Sequence, residues 1–334
     1  MIAHSPLSDS QWRHFCQPKA SRMADIFINV FPFFAVIGCG YASAKSGWFT
    51  ETATKWLTGF VFYFALPAML FRFSASTPVA KSFSIDFLLA YLLATLAVYF
   101  AATTIALIRR RGFAVAAVEA QCSCIGNVGF IGIPMLYGLL GNAAIGPIIL
   151  YLALDLIIFG TVIVVVITAS RAGRLDVQSC KRVLGSILAN PMILSISGGL
   201  IWAALFGPDL PRLMDDTLDL AAGAATPCAL FAIGAFLAPK SAERREDAVM
   251  LSTGKLVLHP LLMAFSTLMI FDIDPAIAGV MIAAAAMPTA GNIFILASHY
   301  GVAAQRVAST ILLSTVLGVL TISLTLVLID PLFS

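Results

Sequence analysis

Apolar runs long enough to cross a lipid bilayer recur from one end of this 334-residue sequence to the other. A transmembrane helix needs about 20 consecutive, mainly apolar residues. Only 11% of the residues are charged, whereas ordinary soluble domains carry about 25%. The mean hydropathy is +0.96, and no polar stretch is long enough to fold as a separate soluble domain. The sequence therefore predicts one all-α integral membrane domain.

The apolar runs, bounded by glycine, proline and charge clusters, predict about ten transmembrane helices in two sets of five. The first set, within residues 25–169, comprises 25–43, 54–74, 85–108, 114–138 and 146–169. The second set, within residues 187–329, comprises 187–206, 214–238, 249–271, 276–299 and 306–329. Because each set has an odd number of helices, two such halves have opposite topology in the membrane.

Residues 1–22 differ from the rest of the chain, since they are polar and lack the apolar core of a secretory signal. Two interpretations stay open. Residues 1–22 are a genuine polar tail before a membrane domain at 23–334, or they are not translated and Met23 is the true start.

Lysines and arginines in the loops predict the orientation, because cytoplasmic loops carry an excess of them. One side has only Arg72, Lys81 and Arg212, besides the three basic residues of the tail. The other side collects Lys45, Lys55, Arg109, Arg110, Arg111, Arg171, Arg174, Lys181, Arg182, Lys240, Arg244, Arg245 and Arg306. The rich side is predicted to be cytoplasmic, which places both termini outside.

A faint internal repeat links the two halves. The fourth predicted helix contains GNVGFI at 126–131 and the ninth contains GNIFIL at 291–296, each followed by a Tyr-Gly pair. The second and seventh helices match more loosely, as LPAMLF at 66–71 and TPCALF at 226–231. Three matches in register indicate an inverted repeat, which is typical of secondary transporters.

The Gly-Asn pairs of this repeat are the candidate substrate site. A helix interrupted in lipid leaves backbone groups without partners, so interruptions persist where they have a use. Glycine permits an open backbone, an asparagine amide both donates and accepts, and nearby prolines weaken the helix further. The alternative is that these residues only allow tight helix packing. The predicted substrate-binding residues are Gly126, Asn127, Gly291, Asn292, Pro134 and Pro288.

The run GNVGFIGIPMLYG at 126–138 resembles the fourth-helix signature of the auxin efflux carrier family. That family includes plant auxin carriers and bacterial permeases for malonate, malate and related dicarboxylates. The similarity extends over nearly all of 25–329. It includes Pro32, Leu66-Pro67, the segment 255–260 and the segment 288–292.

The resemblance implies a ten-helix fold akin to bile-acid symporters and sodium–proton antiporters, with elevator-like alternating access. In such a fold, helices 1, 2, 6 and 7 form a scaffold that also makes a homodimer. Helices 3–5 and 8–10 form a transport domain whose broken fourth and ninth helices cross at the site. Asn127 matches the crossing asparagine of the family. Plant members have a proline just before it, where this chain has Gly126, and this difference puts auxin-like substrates in doubt.

Four ionisable residues lie inside predicted helices: Glu119, Asp155, Lys255 and His259. Each costs roughly 2.5–3.5 kcal/mol at the bilayer centre, so each needs a partner or a function. Lys255 is expected either to complement a substrate carboxylate or to pair permanently with Glu119 or Asp155. Snorkelling of Lys255 to the interface is a further alternative. Asp155 is a candidate proton carrier or a member of a fixed polar network, and His259 shares a helix face with Lys255.

The function predicted from these features is secondary transport or facilitated passage of a small organic anion, such as malonate or malate, across a plasma membrane (the bacterial inner membrane). A cation–proton antiporter of the same architecture is the alternative, and an intramembrane enzyme is a remote one. The sequence contains neither a zinc-protease motif nor a serine-hydrolase elbow. No cofactor, metal or nucleic-acid partner is predicted, whereas coupling to H⁺ or Na⁺ stays open.

Overall fold

A computed structural model of the chain describes residues 19–76, 84–172, 185, 189, 191–238 and 245–333. Most of the predicted polar tail lies outside these residues, and 19–22 belong to the first helix. Basic loop residues that also fall outside them are Lys81, Arg174, Lys181, Arg182, Lys240 and Arg244. Within the described residues the regular structure is helical, and one isolated antiparallel bridge is the single β-type pairing.

The described α-helices, numbered in chain order, are α1 Lys19–Lys45, α2 Glu51–Phe60, α3 Leu66–Ser76, α4 Ile85–Ile108, α5 Phe113–Cys124, α6 Ile133–Leu140, α7 Ile145–Leu154, α8 Gly160–Ala172, α9 Pro191–Phe206, α10 Arg212–Gly223, α11 Ala225–Leu237, α12 Arg245–Thr253, α13 His259–Phe265, α14 Pro275–Ala285, α15 Asn292–His299 and α16 Ala304–Ile329. Single π-helical turns join several of them, namely Val61–Ala65, Val128–Gly132, Asp155–Phe159 and Gly254–Leu258, and Ser266–Ile270 follows α13. Short 3-10 turns are Gly141–Ala144 and Asp330–Phe333.

Six helical stretches in the described part of the chain are long and apolar enough to cross a membrane by length and composition. They are Glu51–Ser76, Ile85–Ile108, Val128–Ile167, Arg212–Leu237, Glu246–Ile270 and Ala304–Phe333. Helices α5, α9 and α14 are shorter but also apolar. The prediction of an all-α, multi-pass membrane protein is confirmed.

Helix α4 shows why these helices suit lipid rather than water. Leu89, Leu93 and Phe100 on its outer face are 43%, 45% and 61% exposed. In a soluble protein such a face would be polar. The inner face instead buries polar atoms of Tyr91 and Thr95. The helix is therefore apolar outside and partly polar inside, as expected where a bilayer surrounds the bundle.

Glycines bring two helix pairs into close contact. A Cβ atom at Gly40 of α1 would clash with the carbonyl of Phe231 in α11, and one at Gly234 of α11 would clash with the carbonyl of Ile37. A Cβ at Gly199 of α9 would lie 2.5 Å from the carbonyl oxygen of Phe71 in α3. Small residues at these points let the two backbones touch, which is the usual way that membrane helices associate.

Two of the predicted transmembrane helices are interrupted in the protein interior. The predicted helix 114–138 consists of α5, an extended link and then a π turn leading into α6. The predicted helix 276–299 consists of α14, an irregular segment at 286–291 and then α15. The first interruption includes Gly126-Asn127, and the second ends at Gly291, directly before Asn292 at the start of α15. Both lie among buried residues.

Candidate functional site

The two interrupted segments pair with each other through their backbones. The N–H of Asn127 donates to the carbonyl of Pro288 at 2.7 Å, and the N–H of Ala290 donates to the carbonyl of Ile125 at 3.1 Å. Gly126 thereby forms an antiparallel bridge with Thr289. Each unwound segment satisfies backbone groups that the other would leave without partners in lipid.

Side-chain hydroxyls complete this pairing. The hydroxyl of Thr289 donates to the carbonyl of Cys122, in the last turn of α5, at 2.9 Å. The N–H of Thr289 donates to the hydroxyl of Ser314 in α16 at 3.1 Å. Thr289 is fully buried, so these bonds replace water that cannot reach the helix end.

Asn127 begins the second half of its interrupted helix. Its side-chain oxygen accepts from the N–H of Phe130 at 3.3 Å, and its backbone carbonyl accepts from Ile131 and Gly132 at 3.0 Å each. Asparagine is a favoured residue at such a helix start because its side chain satisfies an otherwise free N–H. The residue is buried, and it holds the N-terminal end of the half-helix at the paired segments.

Asn292 begins α15 on the other side of the pairing. Its side-chain oxygen is buried and has no hydrogen-bond partner in the described part of the chain. A Cβ built on the neighbouring Gly291 would meet no atom within 4 Å. A buried, unsatisfied amide oxygen beside open space suits a position that a ligand or water fills.

The two predicted prolines have different places. Pro288 is in the paired segment and accepts from Asn127 through its carbonyl. Pro134 lies in the first turn of α6, beyond the π turn, where a missing N–H is tolerated. Pro134 therefore lies outside the backbone pairing.

Lys255 is fully buried beside the paired segments. Its ammonium donates to the carbonyl of Ala285 at the end of α14, and it lies 2.9 Å from Nδ1 of His259. A Cβ on Gly126 would lie 3.2 Å from Nζ of Lys255. Nε2 of His259 in turn lies 3.2 Å from the hydroxyl of Thr95 in α4. Burial excludes snorkelling of Lys255 to the interface.

Asp155 lies in the π turn that follows α7. One carboxylate oxygen accepts from the hydroxyl of Tyr91 at 2.5 Å, and the other is buried with no hydrogen-bond partner among the described residues. The ring of Tyr151 packs edge-on against Tyr91 at 4.9 Å, and its buried hydroxyl is also unpartnered there. Asp155 is close enough to Lys255 to interact electrostatically.

The described residues form no group of three or more side chains that suits a metal ion.

Glu119 belongs to an ionic cluster at the start of α5, away from Lys255. It pairs with Arg111 and, at 2.5 Å, with Arg306 of α16. Asp247 of α12 joins both arginines, and it pairs with Arg109 at 3.1 Å. Hydrogen bonds to Asp247 and Glu119 raise the pKa of Arg111 above its usual value, so its charge is permanent.

The structure shows no direct ion pair of Lys255 with Glu119 or Asp155 within the part of the chain that it describes. Among the described residues, neither carboxylate lies within 4.0 Å of Lys255. Glu119 forms ion pairs with arginines that extend from the ends of neighbouring helices. Asp155 accepts a hydrogen bond from a tyrosine.

The whole-chain sequence also matches a known family. Residues 25–326 match the family described as membrane transport protein. The chain belongs to this family. The predicted resemblance to auxin efflux carriers is thereby confirmed, and so is the prediction of a membrane transporter.

Two relatives of this membrane transport protein are informative. A Rhizobium meliloti (strain 1021) protein named "Putative malonate transporter" is 34% identical over 307 residues, which cover 90% of this chain and 95% of the relative. A Mus musculus protein named "Lysosomal cholesterol signaling protein" is 25% identical over 270 residues, which cover 73% of this chain but 30% of that longer protein. The names of the family and of the first relative are those of transporters rather than enzymes.

Several site residues of this membrane transport protein escaped the sequence analysis. Thr289 and Ser314 belong to the paired segments and their contacts. Thr95 contacts His259, Tyr91 donates to Asp155, and the ring of Tyr151 packs against Tyr91. A signal exists for Thr289, since it stands between Pro288 and Gly291, which are both predicted site residues. The others are single hydroxyls on apolar helices, and such residues also occur where a hydroxyl merely bonds to its own helix.

Proposed function

We propose that this membrane transport protein carries a small organic anion, a dicarboxylate such as malonate or malate, as a secondary active transporter or facilitator. One observation carries the proposal: two interrupted helices pair in the protein interior, next to a buried ammonium and an asparagine oxygen that has no partner among the described residues. The similarity to a relative named as a malonate transporter supports the choice of dicarboxylates.

The proposed substrate site is formed by Gly126, Asn127, Gly291 and Asn292, with Lys255 as the positive charge. N-terminal ends of helices carry partial positive charge and free N–H groups, which suits a carboxylate. Two such ends, at the π turn after Asn127 and at α15, begin beside the paired segments. Amide groups of the asparagines would hold the carboxylate oxygens, and Lys255 would offset the second charge.

The proposed architecture is ten transmembrane helices in two inverted five-helix repeats. The close contacts of α1 with α11 and of α3 with α9 support it, because an inverted repeat exchanges these two pairs. These helices would form a scaffold that makes a homodimer. The remaining helices would move as a transport domain past it, in an elevator-like cycle that carries the site from one side of the membrane to the other.

A cation–proton antiporter of the same architecture is the second candidate. The observation that favours it is a buried carboxylate oxygen of Asp155, which has no hydrogen-bond partner in the part of the chain that the structure describes. Such a group is a candidate proton or cation carrier in membrane proteins.

Flux measurements with the purified protein in proteoliposomes separate the two functions. We expect the protein to take up radiolabelled malonate or malate against an unlabelled dicarboxylate inside. We also expect it to leave an imposed Na⁺ or H⁺ gradient intact when no organic anion is present. Dissipation of the cation gradient without dicarboxylate uptake would favour the antiporter.

A further inference from the structure

We propose that the ammonium of Lys255 is a resident cation that occupies the cation-binding end of α14, so that anion transport by this protein needs no Na⁺. The predicted independence of transport from Na⁺ rests on the proposed function. The occupied cation position itself rests on the contacts of Lys255 alone.

The end of α14 has one carbonyl left for a cation. The N–H of Ala286 donates to the carbonyls of Ile282 and Ala283 at 3.0 and 3.2 Å, and the N–H of Met287 donates to Ala284 at 3.2 Å. The carbonyl of Ala285 instead accepts from the ammonium of Lys255, and the ring of His259 also interacts with the backbone of Ala285. The C-terminal end of a helix carries partial negative charge, which stabilises a cation there.

Uncharged groups surround this ammonium. Besides the carbonyl of Ala285, its partner is Nδ1 of His259 at 2.9 Å, and the described residues offer no carboxylate within ion-pair distance. Asp155 and the thiol of Cys124 interact with Lys255 only at longer range. A buried charge without a paired counterion is costly, and a bound anion would offset that cost. The protein without substrate therefore already carries a positive charge at the place where an anion would bind.

Gly126 brings this charge to the paired segments. A Cβ at Gly126 would lie 3.2 Å from both Cε and Nζ of Lys255, so the missing side chain is what lets the lysine reach the pairing. A metal cation at the same place would compete for the carbonyl of Ala285 and would be repelled by the ammonium. The position is therefore already occupied by the protein itself.

Replacing sodium in assays of the wild-type protein tests whether anion transport needs Na⁺. Uptake of labelled malonate into proteoliposomes should differ less than twofold when Na⁺ on both sides is replaced by N-methyl-D-glucamine. Stimulation of uptake by Na⁺ of fivefold or more would overturn the inference while leaving anion transport itself established.

Small amines test the occupied position without any transport assay. Lys255→Ala leaves space for the tip of the lysine beside Ala285, so methylammonium should raise the melting temperature of this variant in a saturable manner. It should not do so for the wild-type protein. Lys55→Ala is the control, because that side chain is 76% exposed and pairs with the similarly exposed surface residue Glu51. Lys255→Met fills the same space with an apolar chain and should show no methylammonium effect.

The outcomes separate the two proposals. Methylammonium rescue of Lys255→Ala without dicarboxylate uptake by the wild type would contradict the proposed function and support the resident cation. Equal responses of the Lys255→Ala and Lys55→Ala variants to methylammonium would overturn the resident cation. If Lys255→Ala does not fold, the variant is expressed with methylammonium in the medium and the yield of folded protein is measured. No recovery of folded protein under these conditions counts against the inference.

Discussion

At the scale of single residues, Gly126 determines how closely Lys255 approaches the paired segments. Its position before Asn127 was noted in the sequence as a departure from the proline of plant relatives. The structure supplies a physical reason for a residue without a side chain, since a Cβ would lie 3.2 Å from Nζ of Lys255 and 3.2 Å from the carbonyl oxygen of Ala284.

Gly126→Ala should therefore impair the protein. The added methyl group must displace the ammonium or the backbone of α14, and overpacking of this kind costs about 1–3 kcal/mol. We expect a lower melting temperature and strongly reduced malonate uptake. Gly129→Ala is the matched control in the same segment, because its nearest neighbour atom would be 3.7 Å away on Leu152. Equal effects of the two substitutions would contradict the role given to Gly126.

The sequence singled out the ionisable residues but did not identify all of their partners. Their presence inside apolar helices was sufficient to select Glu119, Asp155, Lys255 and His259. Partners depend on how helices that are distant in the chain pack, and hydropathy carries no information on that. Glu119 is joined to Arg306, far along the sequence, whereas His259 is joined to Lys255 one helical turn away. Only the second contact follows from helical spacing.

At the scale of elements, helix positions followed closely from hydropathy. The last helix was predicted at 306–329 and α16 is Ala304–Ile329. The predicted helix 249–271 is longer at its start, since α12 begins at Arg245. The π turns, such as Gly254–Leu258, were not predicted, because one extra residue in a turn leaves the apolar pattern of a membrane helix unchanged. The backbone pairing of Gly126 with Thr289 is a contact between two distant segments and has no local signature.

We expect the ionic cluster around Glu119 to hold elements together rather than to bind substrate. Glu119→Gln leaves Arg111 and Arg306 with Asp247 as their remaining carboxylate, and loss of one partner from a buried pair costs about 3 kcal/mol. We expect a clearly lower melting temperature with unchanged malonate affinity in the protein that remains folded.

The control for Glu119→Gln is Asp216→Asn. Asp216 pairs with Arg212 at 3.6 Å, and the two side chains are 68% and 95% exposed, so the change should be almost neutral. A loss of malonate affinity in Glu119→Gln without loss of stability would instead place Glu119 at the site.

At the scale of the whole molecule, the distribution of lysine and arginine predicts that both termini lie outside. Single cysteines introduced at Arg110, in the exposed turn after α4, and at Asn142, in the exposed turn after α6, report the two sides. In intact cells, an impermeant thiol reagent should label the cysteine at 142 and not the one at 110. The reverse pattern would invert the orientation.

The central claim is that the paired interrupted helices form the anion site, and counterflow of labelled malonate in proteoliposomes tests it most directly. Three variants are compared with the wild type: Asn127→Ala, Asn292→Ala and the control Asn142→Ala, which changes an exposed asparagine in a turn. We expect the first two to lose counterflow at least tenfold while they keep a monodisperse elution profile, and the control to match the wild type. Wild-type counterflow in both Asn127→Ala and Asn292→Ala would contradict the assignment of the site.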